Sequence, residues 1–519
     1  MSAATDNPYR VWAGLAISIA LAGAASIALR QDSSWDLQNY HYYNAWALVH
    51  GRFGLDWAPA QLQSFYSPFL DLPFYALVAA DVPPRVIAFV LAIPTGVAWF
   101  FFARIVVRLF RSLPATTRRW AVVAAVAIGV TAPMSVSLIG TTMNDWYVAA
   151  FVMAALWLVV RETGSGTSIR SLIAASALVG AGAGFKLTGL VYCVGLLGGV
   201  LALDGTWPLR VRRALASGLA MAVAFALTAG PWMWIMAERY GNPLFPYYND
   251  LFRSPWADPV SFSATRFGPA SPLEWLIFPF ALLWKLEGYV SEPEFRDARP
   301  AVLYALLLIW LAWRLLRRTD ARAPSEPGPW RFVGTFFVAS FLAWALVYRI
   351  FRYLVPLELL SGAFIVYFIA MLAPPRRVVV ALAATFLLVS VSAKYPTWWR
   401  QKFSDHFLAV AMPPVKANAL VVLVAPEPMS YVLPSFPADA RFAGLVSNFN
   451  DPDRRNRLQE TIAAAIRNHT GTLYSLAVPP NGDVGTDALA KLGLARVSCG
   501  EIRTNLRVSP LELCELRRL

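Results

Sequence analysis

The sequence predicts an α-helical polytopic membrane protein with about eleven transmembrane helices and a small C-terminal extracytoplasmic α/β domain. Three observations predict it: a charge-poor composition, a series of long apolar runs, and arginines gathered at alternate ends of those runs. Of 519 residues, 57% are hydrophobic and 15% charged, against about 25% charged in soluble domains. Lys and Arg number 45 and Asp and Glu 31, a balance of +14. In this setting the excess reads as basic residues at cytoplasmic helix ends, not as a nucleic-acid surface. No nucleic-acid partner is expected.

A spanning helix takes about 20 apolar residues. Eleven runs approach that length: Val11–Leu29, Arg85–Phe110, Arg119–Ile139, Trp146–Val160, Ser171–Gly184, Leu187–Leu203, Ala214–Ile235, Ala301–Leu316, Phe332–Tyr348, Leu354–Leu372 and Val378–Ala393. The fifth and sixth are short and share the Gly-rich seam "GAGAGFKLTG". The first has no small-residue cleavage site and reads as a retained anchor. With the N-terminus in the cytoplasm, the even-numbered runs end inside. Those ends carry Arg108, Arg111, Arg118 and Arg119, then Arg161 and Arg170, then Arg210, Arg212 and Arg213, then Arg314, Arg317, Arg318 and Arg322, then Arg376 and Arg377. Short basic loops orient spans this way.

Two domains follow: residues 1–393 in the membrane, with long outer segments 30–84 and 236–300, and residues 394–519 outside it. Loops this long are usually functional. In the first, Leu37–His50 has helical spacing and suggests an amphipathic helix lying on the membrane. In the second, Leu273–Leu286 is apolar but short and carries Pro279, so it reads as interfacial or re-entrant. "TDARAPSEPGPW" reads as a Pro-rich cytoplasmic linker. The tail alternates strand-like "ALVVLVAPEP" and "TLYSLAV" with helical "DPDRRNRLQETIAAAIRNH", begun near Asp451 or Asp453, and "TDALAKLGL", capped by Thr486. Three cysteines form no metal framework. A Cys499–Cys514 disulfide is compatible with an extracytoplasmic tail.

Candidate chemistry gathers at the predicted outer ends. Asp36, in "WDLQNYHYYNAWALVHGR", precedes Tyr40, His41, Tyr42, Tyr43 and Trp46. A carboxylate can take a hydroxyl proton, and aromatic faces stack on sugars. The plainer alternative for Asp36 is a helix N-cap. Asp145, in "GTTMNDWYVAAF", opens the fourth run; Asn144 could cap there instead. The two acids could divide acid/base work or jointly hold a divalent cation, magnesium or manganese. Lys186 lies between apolar runs, where a cation is functional by default unless it snorkels. Arg349, Arg352 and Tyr353, in "VYRIFRYLVPLELLSG", suit a phosphate. "ERYGNPLFPYYNDLFRSPW" adds Asn242 and Tyr247, as substrate contacts or as packing beneath the outer domain. His41, His50, His406 and His469 lack metal-ligand spacing, and His41 reads as a packed or hydrogen-bonding loop residue. No nucleotide-binding phosphate loop, GxSxG elbow or HExxH helix occurs.

Taken in order, these motifs resemble the membrane glycosyltransferases of the GT-C fold, which include protein O-mannosyltransferases, lipid A aminoarabinose transferases and oligosaccharyltransferases. The likeness covers most of residues 12–394. It implies transfer of a sugar from a polyprenyl-phosphate carrier to a glycan, lipid or protein hydroxyl, in contact with membrane lipids, on the outer face of a membrane such as the bacterial inner membrane. It carries the first-loop acid onto Asp36 as general base or acceptor-orienting residue. The second acidic motif is matched in part, since "ND" stands where several branches have two acids. A polysaccharide polymerase or ligase, and a lipid-linked-sugar flippase, are the competing readings. A flippase is expected to show midplane acids or repeated halves, which the sequence lacks.

Overall fold

A computed structural model describes residues 8–163, 166–261, 267–317, 326–374, 376–479 and 482–519. The chain enters through α1 (Pro8–Leu29). The first long segment then holds a π turn (Leu37–His41), α2 (Tyr42–Val49), a 3-10 turn (Gln61–Phe65) and α3 (Leu72–Ala79). The predicted second run is broken at Ala92 into α4 (Pro84–Leu91) and α5 (Ile93–Leu109), because Pro94 supplies no amide hydrogen for a continuous helix. Pro133 divides the third in the same way, into α6 (Ala115–Val130) and α7 (Pro133–Ser137). Next come α8 (Asp145–Val160), α9 (Ile169–Phe185), α10 (Leu190–Leu201) and α11 (Trp207–Tyr240). The second long segment carries α12 (Asn249–Phe252) and α13 (Pro272–Ala281). The bundle closes with α14 (Arg299–Arg317), α15 (Pro327–Val347), α16 (Val355–Leu372) and α17 (Val378–Val391).

All eleven expected runs are therefore helical among the described residues, and the chain is a multi-span membrane protein. Six spans have the length and hydropathy to cross a bilayer as single apolar helices. α8, α9, α10 and α17 are apolar but shorter, and α8 and α9 pack side by side in the middle of the bundle. The Gly-rich seam sets their spacing. A β-carbon at Gly180 would strike the Met221 backbone, and one at Gly184 would strike Thr228, so α9 lies directly against α11 as small residues permit. Arg318, Arg322 and most of the linker at 319–330 lie outside the described residues.

The tail folds into a six-stranded sheet in the order β1-β5-β6-β4-β2-β3. Its strands are β1 (Val410–Ala411), β2 (Leu420–Val424), β3 (Arg441–Val446), β4 (Leu473–Ala477), β5 (Leu494–Thr504) and β6 (Leu511–Arg518). β2 pairs in parallel with β3 and β4, and the other pairings are antiparallel. β2 and β4 are covered on both faces, and β2 reads as an unbroken apolar run for that reason. α18 (Arg457–Asn468) places Leu458, Ile462 and Ile466 on one face of the sheet. It is capped by Asn456, whose Oδ1 accepts from Gln459 N at 3.0 Å, and not by Asp451 or Asp453. Thr486 likewise lies inside α19 (Gly482–Ala490) and does not begin it. Cys499 and Cys514 face each other across β5 and β6 and are disulfide-bonded.

The other face of the sheet is covered by the first long segment: Leu37, Tyr40, Tyr43 and Ala47 pack with Val421, Leu423, Phe442 and Tyr474. This corrects the surface-helix expectation for Leu37–His50. The apolar face of that stretch meets the tail domain, which a sequence pattern cannot tell from a membrane.

Candidate active site

The site is built from segments far apart in the chain. Two acids of the first long segment part company within four residues. Asp32 is fully engaged: it accepts from Ser34 N at 3.0 Å and from Thr142 N and Oγ1 at 2.8 Å each. It therefore ties the segment to the turn before α8. Asp36 sits at the N-cap position of the π turn, yet makes no capping bond. Its Oδ2 instead accepts from Arg352 Nη1 at 2.6 Å, and Oδ1 takes no hydrogen bond among the described residues. A π turn places residues five apart on one side, so Asp36 and His41 share a face with Tyr40 between them.

Arg352 reaches this point because the chain does not run straight from α15 into α16. Arg349 has φ +57° and Ile350 is extended. A 3-10 turn, Phe351–Leu354, then precedes Pro356 in the first turn of α16. A second ion pair forms beside the first. α9 ends at Lys186, whose backbone is extended (φ −142°). Its Nζ donates to Asp145 Oδ1 at 2.5 Å and to the Met143 carbonyl at 2.6 Å. Met143 joins the two pairs, since its sulfur lies 3.2 Å from Arg352 Nη1. The Tyr353 ring lies 5.4 Å from Lys186 Nζ and 5.4 Å from the Arg352 guanidinium, a cation–π spacing. Two acids and two cations thus alternate in one buried patch. Among the described residues, Asp145 Oδ2, Arg352 Nε and His41 Nε2 are buried there without a hydrogen-bond partner.

Burial alone pushes the Asp36 carboxyl up, but the charge of Arg352, aided by His41 and Lys186, more than offsets it and holds the group below the usual carboxylate range. Asp36 is therefore ionised at neutral pH. Such a pair stabilises the fold above the ordinary carboxylate range and loses that contribution as pH falls through the lowered value. Burial, then the nearby Asp36 charge, pushes the Tyr40 phenol well above its ordinary value, so Tyr40 can donate a hydrogen bond but not act as a base.

Asp36, Asp145, Lys186, Arg352, Tyr353, Tyr40 and His41 are brought together. Tyr247 stands one ring further out, its hydroxyl bonded to that of Tyr66, which packs edge-on against Tyr40 at 5.4 Å. Three predicted residues lie elsewhere. Tyr43 donates to Asp56 at 2.7 Å in the seam with the tail domain. Asn242 closes its own loop, donating to Tyr247 O at 3.0 Å and accepting from Leu244 N at 2.8 Å. Arg349 sits over Trp275, 5.9 Å from the ring centre. Sequence reasoning missed Asp71, Met143, Tyr66 and Trp398. Asp71 looks like an ordinary acid before the Pro-led α3, and Trp398, 5.8 Å from Arg352, belongs to the unrecognised tail.

The two acids do not fit a divalent cation. Each already gives one oxygen to a basic side chain, and no third carboxylate, imidazole or thiolate joins them within ligating reach among the described residues.

A helical bundle with this paired-charge patch at one end, closed by a mixed sheet, defines a membrane protein of the GT-C fold. ArnT from Cupriavidus metallidurans bound to undecaprenyl phosphate superposes with a TM-score of 0.53 at 12% identity, over 98% of each chain. The apo form of that protein gives 0.46 at 13% identity, over 96% of this chain and 97% of that one. The apo oligosaccharyltransferase of Archaeoglobus fulgidus gives 0.43 at 11% identity, over 89% of this chain and 69% of that one. No protein-family model matches the chain, and no curated protein matches its sequence.

Proposed function

We propose that the protein transfers a sugar from a polyprenyl-phosphate carrier to a hydroxyl acceptor at the extracytoplasmic membrane face. The observation that carries this reading is the pairing of Asp36 with Arg352 and of Asp145 with Lys186 around Met143, with unpartnered atoms on both pairs. The ArnT structure with a similar fold was solved with undecaprenyl phosphate. A polyprenyl phosphate is a good leaving group, so the protein's main task is to meet the charge that develops as it departs. Arg352, through Nε, and Lys186 suit that task. Asp36 Oδ1 suits an acceptor hydroxyl, which it orients and from which it draws the proton. Tyr353, lying between the cations, holds their spacing. An inverting single displacement follows, with donor and hydroxyl on opposite sides of the anomeric carbon. The basic loops at alternate helix ends support a cytoplasmic N-terminus, and the Cys499–Cys514 disulfide supports an extracytoplasmic tail.

The test is transfer by purified protein from labelled polyprenyl-phosphate sugars to hydroxyl acceptors. Asp36→Asn leaves Arg352 without its charge partner, so it is expected to lower stability and, per folded molecule, to lose transfer by about 10²–10⁴-fold. Full activity in that variant, or carrier translocation in liposomes with no transfer, sinks the reading.

A further inference from the structure

The first long segment holds a second titratable device beside Asp36. His41 ends the π turn and is 2% exposed. Its Nδ1 lies 2.8 Å from Asp71 Oδ1. That oxygen also accepts from Asn144 Nδ2 at 2.7 Å, so it acts as an acceptor, and Nδ1 carries the hydrogen. The tautomer is thereby fixed with a lone pair on Nε2. Among the described residues Nε2 is buried and has no hydrogen-bond partner. Asp71 lies at the N-cap position of α3 but makes no capping bond; its Oδ1 serves the imidazole and Asn144 instead. Asp71 meets His41 directly, the Tyr40 ring lies 4.0 Å from the imidazole, and Asp36 lies within reach of its charge; Arg352 and Lys186 act on Asp36 and Tyr147 of α8 lies near Asp71.

We propose that His41, oriented by Asp71, is the final acceptor of the proton that Asp36 draws from the acceptor hydroxyl. The proposal rests on the transferase reading. Asp36 is tied to a guanidinium and is a weak base, so a proton placed on it is readily passed on. An imidazole backed by a carboxylate is the stronger base, and the imidazolium formed is stabilised by that carboxylate. In the step, the acceptor O–H bond breaks and its oxygen bonds the anomeric carbon. The bond from that carbon to the phosphate oxygen breaks, its electron pair leaving with the phosphate. The proton is drawn by Asp36 and ends on His41 Nε2, which makes no direct hydrogen bond to Asp36 among the described residues, so the bound acceptor bridges the two. The departing phosphate monoester gains one negative charge and can later take that proton, since its second ionisation lies near pH 6.

The experiment is the pH dependence of kcat/KM for transfer by the full-length protein, using a polyprenyl-phosphate sugar and a hydroxyl acceptor. The donor is a phosphodiester with no proton to titrate near neutrality. Wild type is expected to lose activity on the acid side in a limb that depends on His41. His41→Asn keeps a donor for Asp71 but is a poor base. It is expected to fall by about 10²-fold or more and to lose that limb. Asp71→Asn is expected to lower kcat with little change in KM. His406→Gln, at an exposed His–Asp pair with Asp81, is expected to behave as wild type. An acid limb that stays unmoved in His41→Asn overturns the relay alone. Absence of transfer by wild type overturns the transferase reading and the relay with it.

Discussion

The first and second long segments look alike in sequence. Both are aromatic, both carry acids, and both are broken by Pro and Gly. The structure separates them by where their polar side chains end. In the second segment Asn242 bonds Tyr247 and Leu244, while Asn249 bonds the Ser254 and Ala257 carbonyls of its own loop. Those amides hold the loop's shape and are used up in doing so. In the first segment Asp36 and His41 reach other elements and sit beside atoms with no partner. A buried polar group without a partner costs about 1–3 kcal/mol, and a fold carries several together where a ligand meets them. Open atoms alone do not mark the site, since Tyr289, Ser291 and Asp297 of the second segment also have them; their gathering beside two ion pairs sets the first segment apart.

The largest effect should come from breaking the first segment's neighbour pair. Lys186→Met removes the cation on Asp145 and leaves a buried carboxylate without its charge partner. Losing one member of a buried pair costs about 3–5 kcal/mol, so the single variant is expected to lose both stability and transfer. Adding Asp145→Asn removes the stranded charge. The double variant is expected to regain thermal stability but to remain at least about 10²-fold below wild type in transfer. Recovery of both together would reduce the pair to a structural brace. Thermal unfolding and donor-dependent transfer, measured side by side, decide it.

The helices were legible because apolar run length reports them directly. Asp36, Lys186 and Arg352 were legible as charges out of place beside apolar runs. Their partnership was not: Arg352 and Asp36 are 316 residues apart, and no local pattern encodes such a contact. The π turn was also hidden. Helical spacing groups Tyr40 with Tyr43, whereas the wider turn places Tyr40 with Asp36 and His41 and sends Tyr43 to Asp56. In the tail, the buried β2 and β4 announced themselves as strands, while β5 and β6, partly exposed and charged, did not.

A middle-sized effect tests the second segment as scaffold. Asn242→Ala removes the side chain that bridges Leu244 N and the Tyr247 carbonyl. Leaving those groups unpaired is expected to cost about 1–3 kcal/mol of stability. Transfer per folded molecule is expected to stay within about twofold of wild type, since this side chain meets neither ion pair. A normal melting temperature with a collapse in transfer would instead make Asn242 a substrate contact and erase the contrast between the segments.

The smallest effect lies inside the first segment itself. Tyr43 is three residues from Tyr40, yet its hydroxyl donates to Asp56. Asp56 keeps other partners without it: Arg52 at 2.6 Å and Phe442 N at 3.1 Å. Tyr43→Phe therefore removes one hydrogen bond, keeps the ring packed on the tail domain, and leaves no carboxylate unpaired. The expected loss is about 0.5–1.5 kcal/mol, with transfer unchanged. Tyr40→Phe, in the turn that holds Asp36, gives the matched comparison, because the Asp36 charge acts on its phenol. If the two phenylalanine variants behave alike in transfer, Tyr40 belongs with the packing residues, and the chemistry of the first segment narrows to Asp36 and the His41–Asp71 pair.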